Sequence, residues 1–439
     1  MTGQGEQTGI YLLDLFGNEI LLHTEGAGCY DPMPLTARPR PPVIPSRRDT
    51  TGGTGAFYVA DVYQGTHMAG VARGAVKSLR VVEAPPKRFW SPGSWFGQGY
   101  TAPGMNWHSL ESKRILGSVP VEADGSAYFS VPADTLVYFQ LLDAQGRMVQ
   151  SMRSAAMVHS GERAGCVGCH EERRSAPPAA RAASLAMRRP PRPLAPWRGP
   201  AREFGFMSEV QPVFDQHCVG CHDYGKPAGR KLNLAADRDF VFNTAYVELW
   251  RKGYTGAVGA GPAQIQPAMS WGSYASPLVK AVSGDHHGLR LDAESLDRIQ
   301  TWVDLNAPYY PTYACAYPDH WTGRCPLDPV QMRRLEELTG APIAANGSFD
   351  RYPGPLVSFE RPELSPLLDR LPADSPQRGE ALGIIRAGAA MLAQRPRADM
   401  PGFQPNPTDA ARLVRAEARL QTELRNREAI RLGRKVYDP

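Results

Sequence analysis

Two pentapeptides carry the most specific chemistry in this sequence. Cys166-Val-Gly-Cys169-His170 and Cys218-Val-Gly-Cys221-His222 repeat one pattern with an identical spacer. Two thiols at this spacing can each form a thioether with one of a porphyrin's two vinyl groups. The histidine that follows can then turn its imidazole beneath the iron. The Val-Gly spacer is compact, and its glycine lets the backbone fold tightly against a ring edge. The spacing therefore predicts two covalently bound c-type haems, one on Cys166, Cys169 and His170, the other on Cys218, Cys221 and His222. A zinc knuckle would need four Cys or His ligands near one another, and each copy lacks the second half. A thioredoxin-like pair would need a βαβ surround that the pattern does not offer.

One imidazole leaves a sixth position on each iron. A second His or a Met there makes an electron-carrying site, whereas an open position admits chemistry. For the second haem the candidates are His286, His287 and Met269, and the adjacent histidines favour His286. For the first they are His108 and His159. His159 lies only seven residues before Cys166, a tight loop, so His108 is preferred. His23, His67, His217 and His320 read as ordinary surface residues, with His217 aimed away from the iron.

The remaining cysteines follow from compartment. Covalent haem attachment takes place outside the bacterial cytoplasm, so a periplasmic or otherwise exported protein is expected, and disulfides persist there. Cys315 and Cys325 flank a polar, turn-like stretch and are expected to form a local disulfide. Cys29 is left as a buried thiol or a metal ligand. Met1 to Gly9 has neither the basic nor the apolar region of a signal peptide. The chain then starts abruptly on the strand-like Ile10 to Phe16, which suggests upstream structure.

The elements that must position these groups give an α+β multidomain reading. With 43 Gly and 41 Pro in 439 residues, many turns and long loops are expected. A net charge of +5 gives no bulk-charge case for nucleic-acid binding. No apolar run reaches membrane-spanning length. Residues 1–55 read as a residual strand and a Pro-rich connector. Residues 56–172 read as a β-sandwich-like domain bearing the first haem, with strands near 56–63, 78–82, 114–121, 127–131, 135–142 and 147–149. Asp124-Gly125 and Asp143 to Gly146 mark turns, the former a hairpin signal. Residues 173–203 form a Pro, Ala and Arg-rich segment, read as a solvated linker rather than a basic docking face. Residues 204–312 read as a helical cytochrome c-like domain. A short helix over Val210 to Phe214 enters its haem motif. Asp292 caps a helix running to Asp304 with Leu296, Ile299 and Val303 on one face. Residues 313–439 read as a mostly helical extension. There Thr408 caps a helix whose Leu413, Ala416, Leu420 and Leu424 stripe is expected to pack against this chain.

Several stretches resemble one family. Gly74-Ala-Val-Lys-Ser-Leu-Arg80, Leu116-Gly-Ser-Val-Pro-Val-Glu-Ala-Asp-Gly-Ser126, Gln150-Ser-Met-Arg-Ser154 and Gly165-Cys-Val-Gly-Cys-His-Glu171 resemble the middle domain of the hydrazine synthase alpha subunit. Gln211 to His222 and Thr301 to Pro308 are similar to the cytochrome domain that follows it. The resemblance implies a bis-His second haem with His286 as distal ligand. It implies a β-propeller ahead of this region, with Tyr11 to Asn18 similar to its last strand. It also implies a zinc ion held by the first motif's His and an upstream Cys, for which Cys29 is the candidate. The family's tyrosine ligand, four residues past the motif His, is replaced by Arg174. The combined expectation is a dihaem electron carrier whose partners are redox proteins and other subunits. The alternative is a redox enzyme acting on small nitrogen compounds at an open first haem.

Overall fold

The computed structural model describes residues 8–26, 28–29, 31–37, 39, 52–87, 112–169, 184–257, 266–320, 323–343 and 354–435. Strands fill the N-terminal half and helices the C-terminal half, an α+β arrangement. Residues 1–47 and 48–439 form two compact units.

The first unit is a hairpin. β1 (Ile10–Leu13) and β2 (Glu19–His23) pair antiparallel. The Asp14 carboxylate accepts from the Phe16 and Asn18 amides at 2.8 and 2.9 Å, which fixes the turn. Leu12, Leu13, Ile20, Leu21 and Leu22 are exposed, so within its own unit the hairpin buries little.

The second unit begins with β3 (Thr54–Val59), β4 (Ser78–Glu83), β5 (Arg114–Pro120), β6 (Ala127–Pro132), β7 (Val137–Leu142), β8 (Met148–Ser151) and β9 (Arg163–Cys166). They form two sheets of order β6-β3-β9 and β5-β4-β7-β8. Period-two alternation sends Phe57, Val59 and Phe129 from one sheet against Leu79, Phe139 and Leu141 of the other. The Phe139 ring meets Phe57 at 5.1 Å and Phe129 at 5.3 Å, both edge-on. Asp143 to Gly146 joins β7 and β8 as a true hairpin. Asp124-Gly125 does not: β5 and β6 lie in different sheets, so this turn is a corner between the layers.

Residues 184–203 are largely exposed, yet they are not a free linker but are fixed to the sheets. Ser118 and Ala195 exchange two backbone hydrogen bonds of 2.8 Å, and Arg192 bonds Tyr128 and Ser130 at 3.0 Å each. Glu122 accepts from Arg189 at 2.6 Å and Arg192 at 3.4 Å. The reason is the sheet edges. β5 and β6 each end a sheet and present unpaired backbone groups, which this segment covers.

The helices are α1 (Phe206–Glu209), α2 (Gln211–His217), α3 (Pro227–Lys231), α4 (Thr244–Arg251), α5 (Pro277–Ser283), α6 (Ala293–Asp304), α7 (Pro329–Thr339), α8 (Pro376–Gln394) and α9 (Pro407–Arg431). α6 starts where expected, with the Asp292 carboxylate accepting from the Glu294 and Ser295 amides at 2.9 Å. α9 is capped by Asn406 rather than Thr408, because Pro407 takes the first helical position. Its Leu413, Leu420 and Leu424 are 38–45% exposed. Its start is tied down where Asp409 accepts from the Cys315 amide at 2.9 Å, and further along Arg427 pairs with the Asp134 carboxylate at 3.5 Å.

One core joins the layers. Val82, Tyr138 and Met148 from the sheet pack in the same apolar cluster as Phe206, Tyr246 and Trp302 from the helices. A buried polar chain runs alongside it. Arg80 donates to Gln140 at 3.2 Å and to Thr301 at 2.9 Å, and Gln140 donates to the Asp304 carbonyl at 2.6 Å.

Candidate functional site

The first motif leaves the end of β9. That strand runs parallel to β3, with Cys166 opposite Val59. The backbone continues the pairing: the Ala60 amide donates to the Cys166 carbonyl at 2.9 Å and the Asp61 amide to the Val167 carbonyl at 3.1 Å. The Cys169 amide then donates to the Gln64 carbonyl at 2.7 Å. A Cβ on Gly168 would sit 2.3 Å from that same carbonyl oxygen, so the spacer glycine is required by close backbone approach. Beside the motif lies a cavity of about 410 Å³. Val59, Leu79, Phe139 and Leu141 give it apolar walls, and Cys166 and Cys169 line it too. Its polar lining includes His67 and the buried Arg153, whose pKa desolvation presses down. A second hollow of about 510 Å³, lined by Arg80, Trp197 and Asp297, contains no residue of either motif.

The sequence candidates around this site fare differently. His170, His108 and Arg174 lie outside the described residues. His159 precedes β9, at the end of that strand away from Cys166, where its Nδ1 is 2.5 Å from the Asp134 carboxylate. Met269 belongs on this side of the molecule, not at the second motif. It packs against the sandwich core, and its amide donates to the Val149 carbonyl at 2.8 Å. Gln150 fixes that placement by donating to the Gln266 carbonyl at 2.9 Å. His67 was missed, because nothing in its local sequence marks it.

The second motif begins at the C-terminal end of α2. The Cys218 amide closes that helix on the Phe214 carbonyl at 2.8 Å, and the Cys221 and His222 amides both bond the Cys218 carbonyl. The His222 Nδ1 donates to the Leu232 carbonyl at 2.8 Å. This fixes the tautomer and leaves Nε2 with its lone pair. Opposite stands His286, from the loop between α5 and α6. The two rings are 6.0 Å apart, centre to centre, and inclined by 26°. Two imidazoles bonded to one metal, with metal–nitrogen distances of about 2 Å, have ring centres roughly 6 Å apart. His287 is exposed, takes a φ of 50°, and meets His286 edge-on at 5.0 Å. Cys221 is exposed, while burial and then the neighbouring Cys221 push the Cys218 thiol up to about 11. His217, read as a surface residue, has a buried Nε2 with no hydrogen-bond partner. An orphaned polar atom beside the motif fits a site shaped for a further group.

Two further cysteine expectations change. No disulfide joins Cys315 and Cys325. The Cys325 sulfur lies 3.8 Å from the Met332 sulfur, and the Cys315 sulfur lies 3.5 Å from the Tyr313 carbonyl oxygen. The turn between them folds each sulfur into its own packing, and burial holds the Cys325 thiol up at about 12. In the first unit, Cys29 has company that the sequence did not reveal. One ligand atom each from His23, Glu25 and Cys29 lies within 4.8 Å of the others.

Residues 74–171 match the family model described as the hydrazine synthase alpha subunit middle domain. That segment is related to the hydrazine synthase alpha subunit middle domain. The hydrazine synthase-type segment runs from the approach to β4 to one residue past the first motif, and it leaves the second motif outside. Among solved structures, Kuenenia stuttgartiensis Hydrazine Synthase is similar over 58% of this chain, with 17% identity and a TM-score of 0.43. The chain spans 43% of the length of that protein. No curated protein matches.

Proposed function

We propose that this protein is an exported dihaem c-type cytochrome that moves electrons between two covalently bound haems and on to a protein partner. The observation that carries the reading is the His222–His286 pair, facing at 6.0 Å directly after a Cys-x-x-Cys pair. The thiols of Cys166 and Cys169, and of Cys218 and Cys221, are the attachment points. His170 and His222 are the proximal ligands, and His286 is the distal ligand at the second site. Bound haem supplies a one-electron iron couple.

The chain's own residues do the rest. The Leu232 carbonyl orients His222 and strengthens it as a donor. The apolar walls beside Cys166 keep water from a ring held there. Arg153 offers a buried cation to the carboxylates a porphyrin carries. The matched family's description as an alpha subunit points to further subunits beside a redox partner. Cys29, His23 and Glu25 are donor types that zinc accepts, so a zinc ion is proposed there as well.

The test is expression with the c-type maturation machinery in a periplasm, followed by a pyridine haemochrome count. Two haems per chain are expected. One should remain in the Cys166→Ser/Cys169→Ser variant and one in the Cys218→Ser/Cys221→Ser variant. A chain that carries no covalent haem would sink the reading.

A further inference from the structure

We propose that His67 is the distal axial ligand of the first haem, which makes that site six-coordinate and closed rather than open. This deepens the reading above and rests on it. Four observations place His67 in that role. First, among the described residues lining the cavity beside Cys166 and Cys169, His67 is the imidazole. Second, its loop is stitched to the motif itself. Three residues earlier, Gln64 accepts the Cys169 amide, and the loop sits so close to Gly168 that no larger spacer residue fits. Third, the His67 backbone is held from the other side. Its carbonyl accepts from the Ala268 amide at 3.3 Å and from the Gln150 side chain at 3.4 Å, and Gln150 itself lines the cavity. Fourth, His67 is half-buried, so it is partly withdrawn from solvent at the cavity it lines.

Ligation needs a donor whose backbone is fixed before the metal arrives, because an imidazole on a mobile loop loses affinity to ordering. The loop from Gln64 to His67 meets that requirement from two directions. Met152 also lines the cavity and carries a thioether. It packs against both apolar clusters, so its side chain already fills the seam between sandwich and helices. That leaves the imidazole as the nitrogen donor at the cavity.

The experiment uses the full chain matured with both haems. Haem number is read by pyridine haemochrome, and axial ligation by the ferric optical and electron paramagnetic resonance spectra. Wild-type protein is expected to hold two low-spin haems. His67→Ala is expected to keep both haems, turn one high-spin, and bind one carbon monoxide per chain when reduced. Added imidazole should return that haem to low spin. Should His67→Ala lose the first haem, His67→Met, which keeps a ligand of similar reach, should retain it with an altered low-spin spectrum. Two attached haems with unchanged spectra in both variants overturn the assignment of His67. So does a first haem that responds to Met152→Ala and not to His67→Ala. A wild-type haem count below two instead overturns the dihaem reading, and the two failures are told apart by that count.

Discussion

A histidine becomes a usable ligand when something holds its other nitrogen and something else brings it a partner. His222 has both, through the Leu232 carbonyl and His286. His287 has neither the burial nor the facing ring. His286→Ala is therefore expected to leave two attached haems and make one of them high-spin and open to carbon monoxide, while His287→Ala leaves the spectra as they were. Optical titration with carbon monoxide checks both. At Cys29, zinc content measured by mass spectrometry should fall from one per chain to near zero in Cys29→Ser. The two Cys-x-x-Cys-His motifs were legible because their chemistry is local, fixed by spacing within five residues. His67, His23 and the orphaned His217 were not legible. Their partners are supplied by loop path and tertiary packing, which leave no mark at the residue itself.

At the scale of elements, the strands with clear alternation and the cap at Asp292 could be read directly, whereas β9 could not. Its Arg163-Ala-Gly-Cys166 is short, carries no alternating pattern, and pairs in parallel with a strand about a hundred residues earlier. Yet β9 delivers the first motif. Gly168→Ala tests that delivery. The new methyl would meet the Gln64 carbonyl, so the loop must shift, at a cost of about 1–3 kcal/mol. The expected result is a lower thermal midpoint and fewer chains with a first haem, with the second unaffected. A second element-scale test concerns the stretch that follows α8. Arg397 is fully buried and grips Asp399 through two hydrogen bonds of 2.9 and 2.8 Å, while donating to the Asp239 and Phe242 carbonyls. The guanidinium holds the Asp399 carboxyl well below the usual range against the pull of burial. Arg397→Met strips that carboxylate of its main cation, and urea unfolding should show a loss of about 3–5 kcal/mol.

At the scale of the molecule, two buried groups titrate against each other. Burial raises the Asp304 carboxyl to about 7, although Arg80 and the Ser273 amide oppose it. The folded chain thus keeps a proton that the unfolded chain releases near 4, and stability from this group falls as pH rises from about 4 to about 7. Burial lowers the His320 imidazole to about 4. The unfolded chain takes that proton first, so this group's contribution is lost as pH falls from about 6.5 to about 4. The two slopes largely cancel over their common window. Thermal midpoints of the wild type should change little from pH 4.5 to 6.5 and decline just above. His320→Gln removes one slope, and its midpoint should fall steadily from pH 4.5 to 7. The apolar cluster shared by the sandwich and the helices has a consequence for how such a chain can evolve. A gene cut near residue 204 would leave Val82, Tyr138 and Met148 on one product and Trp302 and Tyr246 on the other, each a wet greasy face. Neither product could be exchanged for a foreign counterpart without a matching relief. The two motifs are therefore inherited as one unit, and the distance between them is fixed by heredity rather than by docking.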